Sequence, residues 1–128
     1  MSVHMFRVYV APDFDQTDLQ TAIDDWVAGH TKWTDDPQET GVVGERLGDL
    51  EDPSTAYWGV DIRIEKTDTK ANILQKLGDK LKNKCDWYRA GYHECTHDED
   101  PPQPCSWEDR QDWTDKDVTI PSYVPGLT

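Results

Sequence analysis

Basic side chains, aliphatic side chains and long apolar runs are all scarce in this sequence of 128 residues. Lys and Arg number 13 against 26 Asp and Glu, so the net charge is −13. Direct nucleic-acid binding is therefore not expected, because phosphate recognition requires clustered cations. No apolar run approaches the roughly 20 residues of a membrane span. The first ten residues also lack the basic and apolar blocks of a secretion signal, so we expect neither a membrane nor a secreted location.

Cysteines and aliphatic residues are also few, and their scarcity limits which interactions can stabilise a core. The three cysteines, an odd number, argue against the disulfide framework of a secreted domain. Only 23 residues are Ile, Leu, Val or Phe, a share close to that of disordered chains. Six Trp and five Tyr argue for folding, because each aromatic ring buries a large area. We expect one domain over residues 1–124 with an aromatic-rich core, and a loose tail over 125–128.

The acidic residues are mostly of one kind, with 19 Asp against 7 Glu, alongside 12 Thr. A dense surface of short carboxylates repels itself in dilute buffer, whereas molar salt shortens the Debye length to about 3 Å. This composition resembles that of cytoplasmic proteins of halophilic archaea and of their viruses. The resemblance implies a high-salt cytoplasm or a virion as the location.

Hydrophobic periodicity predicts an α+β fold. Alternating apolar residues predict strands over 4–10 and 56–66, with a further short strand over 41–50. Helical spacing predicts helices over 15–30 and 70–84. Residues 87–97 and 106–113 fit a strand or a helix, and 118–124 fit an edge strand or a tail. The economical packing is a single, mostly antiparallel sheet of four to five strands with two helices on one face.

One short motif contains side chains typical of a metal site. The run from His93 to His97, with Glu94 second, fits the His-Glu-x-x-His pattern and resembles zinc metallopeptidases. On a helix, this resemblance implies that His93 and His97 bind zinc and that Glu94 activates a metal-bound water. On a strand, His93, Cys95 and His97 share one face, and Cys105 completes a closed structural zinc site. A third interpretation is a polar loop that binds no metal.

The order of the predicted elements resembles that of the tail-terminator and tail-completion proteins at the neck of tailed viruses. The corresponding stretches are 18–33, 41–50, 56–66, 70–84 and 117–124. This resemblance implies a non-enzymatic, ring-forming assembly protein with protein partners, either a homo-oligomer or part of a larger assembly. Its expected interface is the wet face of the strand around Tyr57, together with Tyr9, and an extended tail containing Val118, Ile120 and Tyr123.

Two other functions stay open at this point. The first is a zinc-binding protein or a zinc-dependent peptidase built on the motif with Glu94 as its catalytic residue. The second is an acidic decoy that mimics DNA and occupies a nucleic-acid-binding partner. Enzymatic activity is undecided, and the composition favours a non-enzymatic role.

The excess of acidic residues generates the first prediction. Raising KCl from about 0.1 M to about 2 M should raise the thermal unfolding midpoint, because screening removes repulsion among carboxylates. Circular dichroism measures the midpoint, and tryptophan emission reports whether the indoles are buried. A midpoint that is unchanged by salt, or indoles that are fully hydrated in concentrated KCl, would contradict the brine-adapted fold.

Overall fold

The fold is a four-stranded antiparallel sheet with two helices on one face. A computed structural model describes residues 3–28, 43, 47–48, 51–65, 70–95 and 109–126. The strands lie in the order β2-β1-β3-β4, and every pairing is antiparallel. In chain order the elements are β1 (Val3–Val10), α1 (Gln16–Val27), β2 (Trp58–Glu65), α2 (Lys70–Leu81), β3 (Trp87–Cys95) and β4 (Asp109–Thr114), with a short 3-10 helix (Pro53–Thr55) before β2.

The central strand β1 is buried on both sides because it pairs with β2 on one edge and β3 on the other. Phe6, Val8 and Val10 alternate onto the face that the helices cover, and all three are fully buried. On the opposite face, Met5 and Tyr9 are also buried. The strand therefore needs a cover on each face of the sheet.

Helix α1 begins at an aspartate cap and packs its apolar stripe on the sheet. The Asp15 carboxylate accepts hydrogen bonds from the backbone N–H groups of Thr17 and Asp18, at 3.1 and 3.3 Å. Trp26 meets Phe6 of β1 edge to face, with ring centroids 5.2 Å apart. The buried stripe consists of Leu19, Ala22, Ile23, Trp26 and Val27.

Helix α2 covers the same face of the sheet over β3 and β4. Leu77 and Leu81 are fully buried in the common core. Gly78 lets the helix approach the sheet closely, because a Cβ there would lie 2.5 Å from Oη of Tyr88. Tyr88 stacks on Trp113 of β4 with ring centroids 6.0 Å apart. Trp113 thus extends the aromatic core to the edge strand.

The structure confirms the predicted α+β fold class with two helices on one face of an antiparallel sheet. Residues 87–95 and 109–114, for which the sequence allowed two conformations, are both strands. Residues 118–124 are not in a strand. Of the predicted strand over 41–50, only 43, 47 and 48 are described, and Leu47 forms an isolated bridge with Tyr57.

No helix in the part of the chain that the structure describes is long and apolar enough to cross a membrane.

The contact between Gly78 and Tyr88 generates a stability prediction. Gly78→Ala should destabilise the fold, because forcing atoms into a packed core costs about 1–3 kcal/mol, more than the gain of up to about 1 kcal/mol in helix propensity. Tyr88→Phe should be neutral or stabilising, because the buried Tyr88 hydroxyl makes no hydrogen bond within the described residues. Chemical denaturation of both single variants and the double variant measures the coupling. If Gly78→Ala changes the free energy of unfolding equally in the wild-type and Tyr88→Phe backgrounds, the contact between positions 78 and 88 is contradicted.

Candidate functional site

The face of the sheet opposite the helices, called the second face below, is the part of the molecule that carries a candidate binding site. Strand register places on it Met5, Arg7 and Tyr9 of β1, Gly59, Asp61 and Arg63 of β2, and Trp87, Arg89, Gly91 and His93 of β3. Residues 118–126, called the C-terminal strap below, follow β4 and a turn at 115–117, and they do not pair as a strand. The strap contacts Tyr57 and Arg89, so it lies against one end of the second face.

Three tyrosines form a row across one corner of the second face. The rings of Tyr9 and Tyr57 meet edge to face at 5.6 Å, and those of Tyr57 and Tyr123 lie 6.1 Å apart. Tyr9 and Tyr57 are buried, and burial raises the pKa of Tyr9. Tyr123 of the strap is partly exposed, and its hydroxyl donates a 3.0 Å hydrogen bond to the carbonyl of Ser54.

Arg89 of β3 holds the C-terminal strap by its backbone. Its Nη1 donates to the carbonyls of Val124 and Pro125, at 3.3 and 3.1 Å. The rest of the guanidinium forms a two-point pair with Asp112 of β4, with the shorter contact at 3.0 Å. Val124 is buried in the core beside this contact. Pro125 belongs to the region expected to be a loose tail, yet its carbonyl is held here; residues 127–128 lie outside the described residues.

An apolar corner, formed by Leu47, Tyr57 and Tyr123, lies beside the start of β2. Leu47 and Tyr123 are 45% and 38% exposed, the large hydrophobic side chains left most open among the described residues. Two backbone hydrogen bonds join Leu47 to Tyr57, at 2.9 and 3.2 Å. Gly59 makes room for Leu47, because a Cβ there would lie 2.6 Å from its Cδ1. Two exposed apolar side chains at one corner of the sheet make this corner a candidate site of protein contact.

An ion pair lies next to the tyrosine row on the second face. Arg7 donates to both carboxylate oxygens of Asp61, at 2.7 and 3.1 Å. This hydrogen bonding raises the pKa of Arg7 above its ordinary value. Both side chains are partly exposed, so solvent screens the pair and its contribution is mainly to orientation.

The metal motif begins in β3, not in a helix. Residues 93–95 are extended and pair with residues 5, 4 and 3 of β1, so the helical spacing required by a zinc peptidase is not present at His93, Glu94 and Cys95. His93 is buried on the second face. His97 and Cys105, which complete either predicted zinc site, lie outside the described residues. Within the described residues, no cluster of three or more His, Cys, Asp or Glu side chains is arranged to hold a metal ion.

Cys85 is a buried thiol rather than a nucleophile. Its Sγ lies 3.4 Å from the carbonyl of Leu81 at the end of α2. Burial, together with the negative charge of Asp13, raises the pKa of the Cys85 thiol to about 12. The reactive thiolate is therefore rare at neutral pH.

A groove of about 430 Å³ opens between the start of α1 and the end of α2. Two of its carboxylates already serve the fold, since Asp15 caps α1 and Asp13 accepts a 3.2 Å hydrogen bond from the backbone of Asp86. Lys80 and Lys84 line the opposite wall and balance part of the acidic charge. The groove is a solvated junction between the helices.

The structure places the predicted interface residues differently from the expected wet face. Tyr9 and Tyr57 are buried, and Val118 and Ile120 are half-buried against the core. Tyr123 alone of the five is exposed, and it joins the two buried tyrosines in one row. Sequence reasoning missed the strap and the role of Arg89. The available signal was in β1, where Met5 and Tyr9 lie on the face opposite Phe6, Val8 and Val10. Large apolar residues on both faces of a strand require two covers rather than one.

Comparison with protein families, with curated proteins and with solved structures finds no match to this chain.

The contact between Arg89 and the strap generates a prediction with an internal control. Arg89→Gln should lower the free energy of unfolding by about 1–2 kcal/mol, because hydrogen bonds from a charged donor are lost. It should also speed amide hydrogen exchange over 118–126. The matched variant Lys84→Gln removes an exposed cation after α2 and should leave both quantities nearly unchanged. Equal effects of the two variants would show that Arg89 does not hold the strap.

Proposed function

We propose that this protein is a non-enzymatic assembly protein that works in high salt as a subunit of a homo-oligomer or larger complex. In its finer form, the proposal is a ring-forming neck component, a tail terminator or tail-completion protein, of a haloarchaeal tailed virus. The protein then resides in a high-salt cytoplasm or in the virion. The observation that carries the proposal is the apolar corner of Leu47, Tyr57 and Tyr123 beside an edge strand.

The apolar corner lies next to backbone groups that suit strand pairing. β2 is an eight-residue strand at the edge of the sheet. Past the bridge between Leu47 and Tyr57, no strand among the described residues pairs with its outer edge. The edge of a sheet is a template for a strand from another chain. A second chain that approaches this edge also contacts the apolar corner.

High salt favours contact through this corner over contact through charge. With a Debye length of about 3 Å at 1 M salt, attraction between surface charges is strongly screened. Apolar burial persists and is strengthened by salts that are excluded from the protein surface. An acidic protein in brine therefore relies on apolar surface for specific association, and Leu47 and Tyr123 supply it.

Placing a charge in the corner tests the proposal. Leu47→Asp should dissociate the oligomer in about 2 M KCl, because a carboxylate cannot be buried there without a partner. The control Gln75→Asp adds the same charge at an exposed position of α2 and should leave association unchanged. Sedimentation over a range of concentrations gives the mass. A wild-type protein that stays monomeric at every concentration, with no partner recovered, would contradict the proposal.

The two alternatives make different predictions in the same samples. A zinc-binding protein carries stoichiometric zinc when purified without a His tag, and a peptidase loses activity with Glu94→Gln while retaining the metal. An acidic decoy binds a partner whose affinity falls as salt rises. The assembly proposal predicts that Glu94→Gln leaves the oligomer unchanged and that association survives high salt.

A further inference from the structure

We infer that the C-terminal strap is exchanged between copies of the chain, so that residues 118–126 of one subunit cover the second face of another. This inference rests on the proposed assembly function and names the partner surface as a second copy. Three observations support this inference. They are the backbone conformation of the turn before the strap, the side-chain contacts that attach the strap, and the position of Tyr123.

The turn that leads into the strap contains a residue in the left-handed backbone region. Asp117 has φ of 63°, a conformation that aspartate adopts more often than most residues but less readily than glycine. The turn closes through a 3.1 Å hydrogen bond from the Val118 N–H to the Asp115 carbonyl. An extended chain at this point would relieve Asp117 and direct the strap away from its own sheet. Strained hinge loops of this kind favour exchange of a segment between copies.

The strap is attached by contacts that a strap from another copy can make equally well. Within the described residues, three hydrogen bonds hold 118–126 to the body, two from Arg89 and one from Tyr123. The buried Val124 and the half-buried Val118 and Ile120 add apolar anchors. Pro121 and Pro125 interrupt the segment and prevent it from joining the sheet as a regular strand. One end of the second face thus binds the chain's own segment through side-chain contacts.

Tyr123 of the strap lies in the apolar corner, which is the proposed contact surface. Tyr123 packs on Tyr57 and is one of the exposed members of the apolar corner. A second copy that contacts this corner therefore contacts the strap where it is most open. Exchange replaces the intramolecular contact between Tyr123 and Tyr57 with the same contact between subunits.

Isotope-mixed photo-crosslinking of the full chain tests the exchange. The photoreactive residue p-benzoylphenylalanine replaces Tyr123, and equal amounts of ¹⁴N and ¹⁵N protein are refolded together into about 2 M KCl. Mass spectrometry then identifies the isotope origin of cross-links from position 123 to the peptide spanning 51–65. Exchange predicts that about half of these cross-links join light to heavy chains. Cross-links confined to one isotope would overturn the inference.

Variants of the hinge provide a second measurement on the same samples. Asp117→Gly removes the Cβ and stabilises the closed turn, so it should lower the mixed-isotope fraction on the order of five-fold. Asp117→Pro cannot adopt a positive φ, so it should keep or raise that fraction. A fraction unaffected by Asp117→Gly would overturn the hinge argument even if Asp117→Pro failed to fold.

The outcomes separate this inference from the proposed function. An oligomer that Leu47→Asp dissociates, but that contains no mixed-isotope cross-links, would retain the assembly function and overturn strap exchange. A wild-type chain that is monomeric under all conditions and recovers no partner would overturn both.

Discussion

Burial of β1 on both faces is the constraint on which the rest of the structure depends. This strand lies between β2 and β3, with Phe6 towards the helices and Tyr9 on the opposite side. The two helices cover only one face. At one end of the other face, the tyrosine row and the C-terminal strap pack together, and aromatic rings fill volume that Leu or Ile fills in most domains. Without the strap, Tyr57 would lose its contact with Tyr123.

Charge and apolar contact have separate roles in this molecule. Acidic residues outnumber basic ones two to one in the sequence. Two of the arginines pair within the fold, with Arg7 bound to Asp61 and Arg89 joining Asp112 to the strap. Under the proposed function, the surface for specific association is the apolar corner with Leu47. A strap held by few hydrogen bonds next to that corner provides a means of linking copies without a large interface.

The sequence was most informative where one periodicity extended over a whole element. Alternation gave β1 and β2, and helical spacing gave α1 and α2, because each exposes one face and buries the other. It left residues 118–124 open between an edge strand and a tail, since prolines and scattered apolar residues do not specify which surface they cover. It also missed Arg89, whose role depends on the distant carbonyls of Val124 and Pro125. For the motif at His93, the local pattern left a helix and a strand open, and pairing with β1 determines the strand.

Nuclear Overhauser spectroscopy of the protein in concentrated KCl tests the covered second face most directly. The account predicts cross-peaks from the Tyr57 ring to the rings of both Tyr9 and Tyr123. It also predicts ring-current shifts of methyl groups in the strap, because these groups lie against aromatic side chains. Random-coil shifts throughout 118–126, with no cross-peak between Tyr57 and Tyr123, would contradict it and leave the second face of the sheet uncovered.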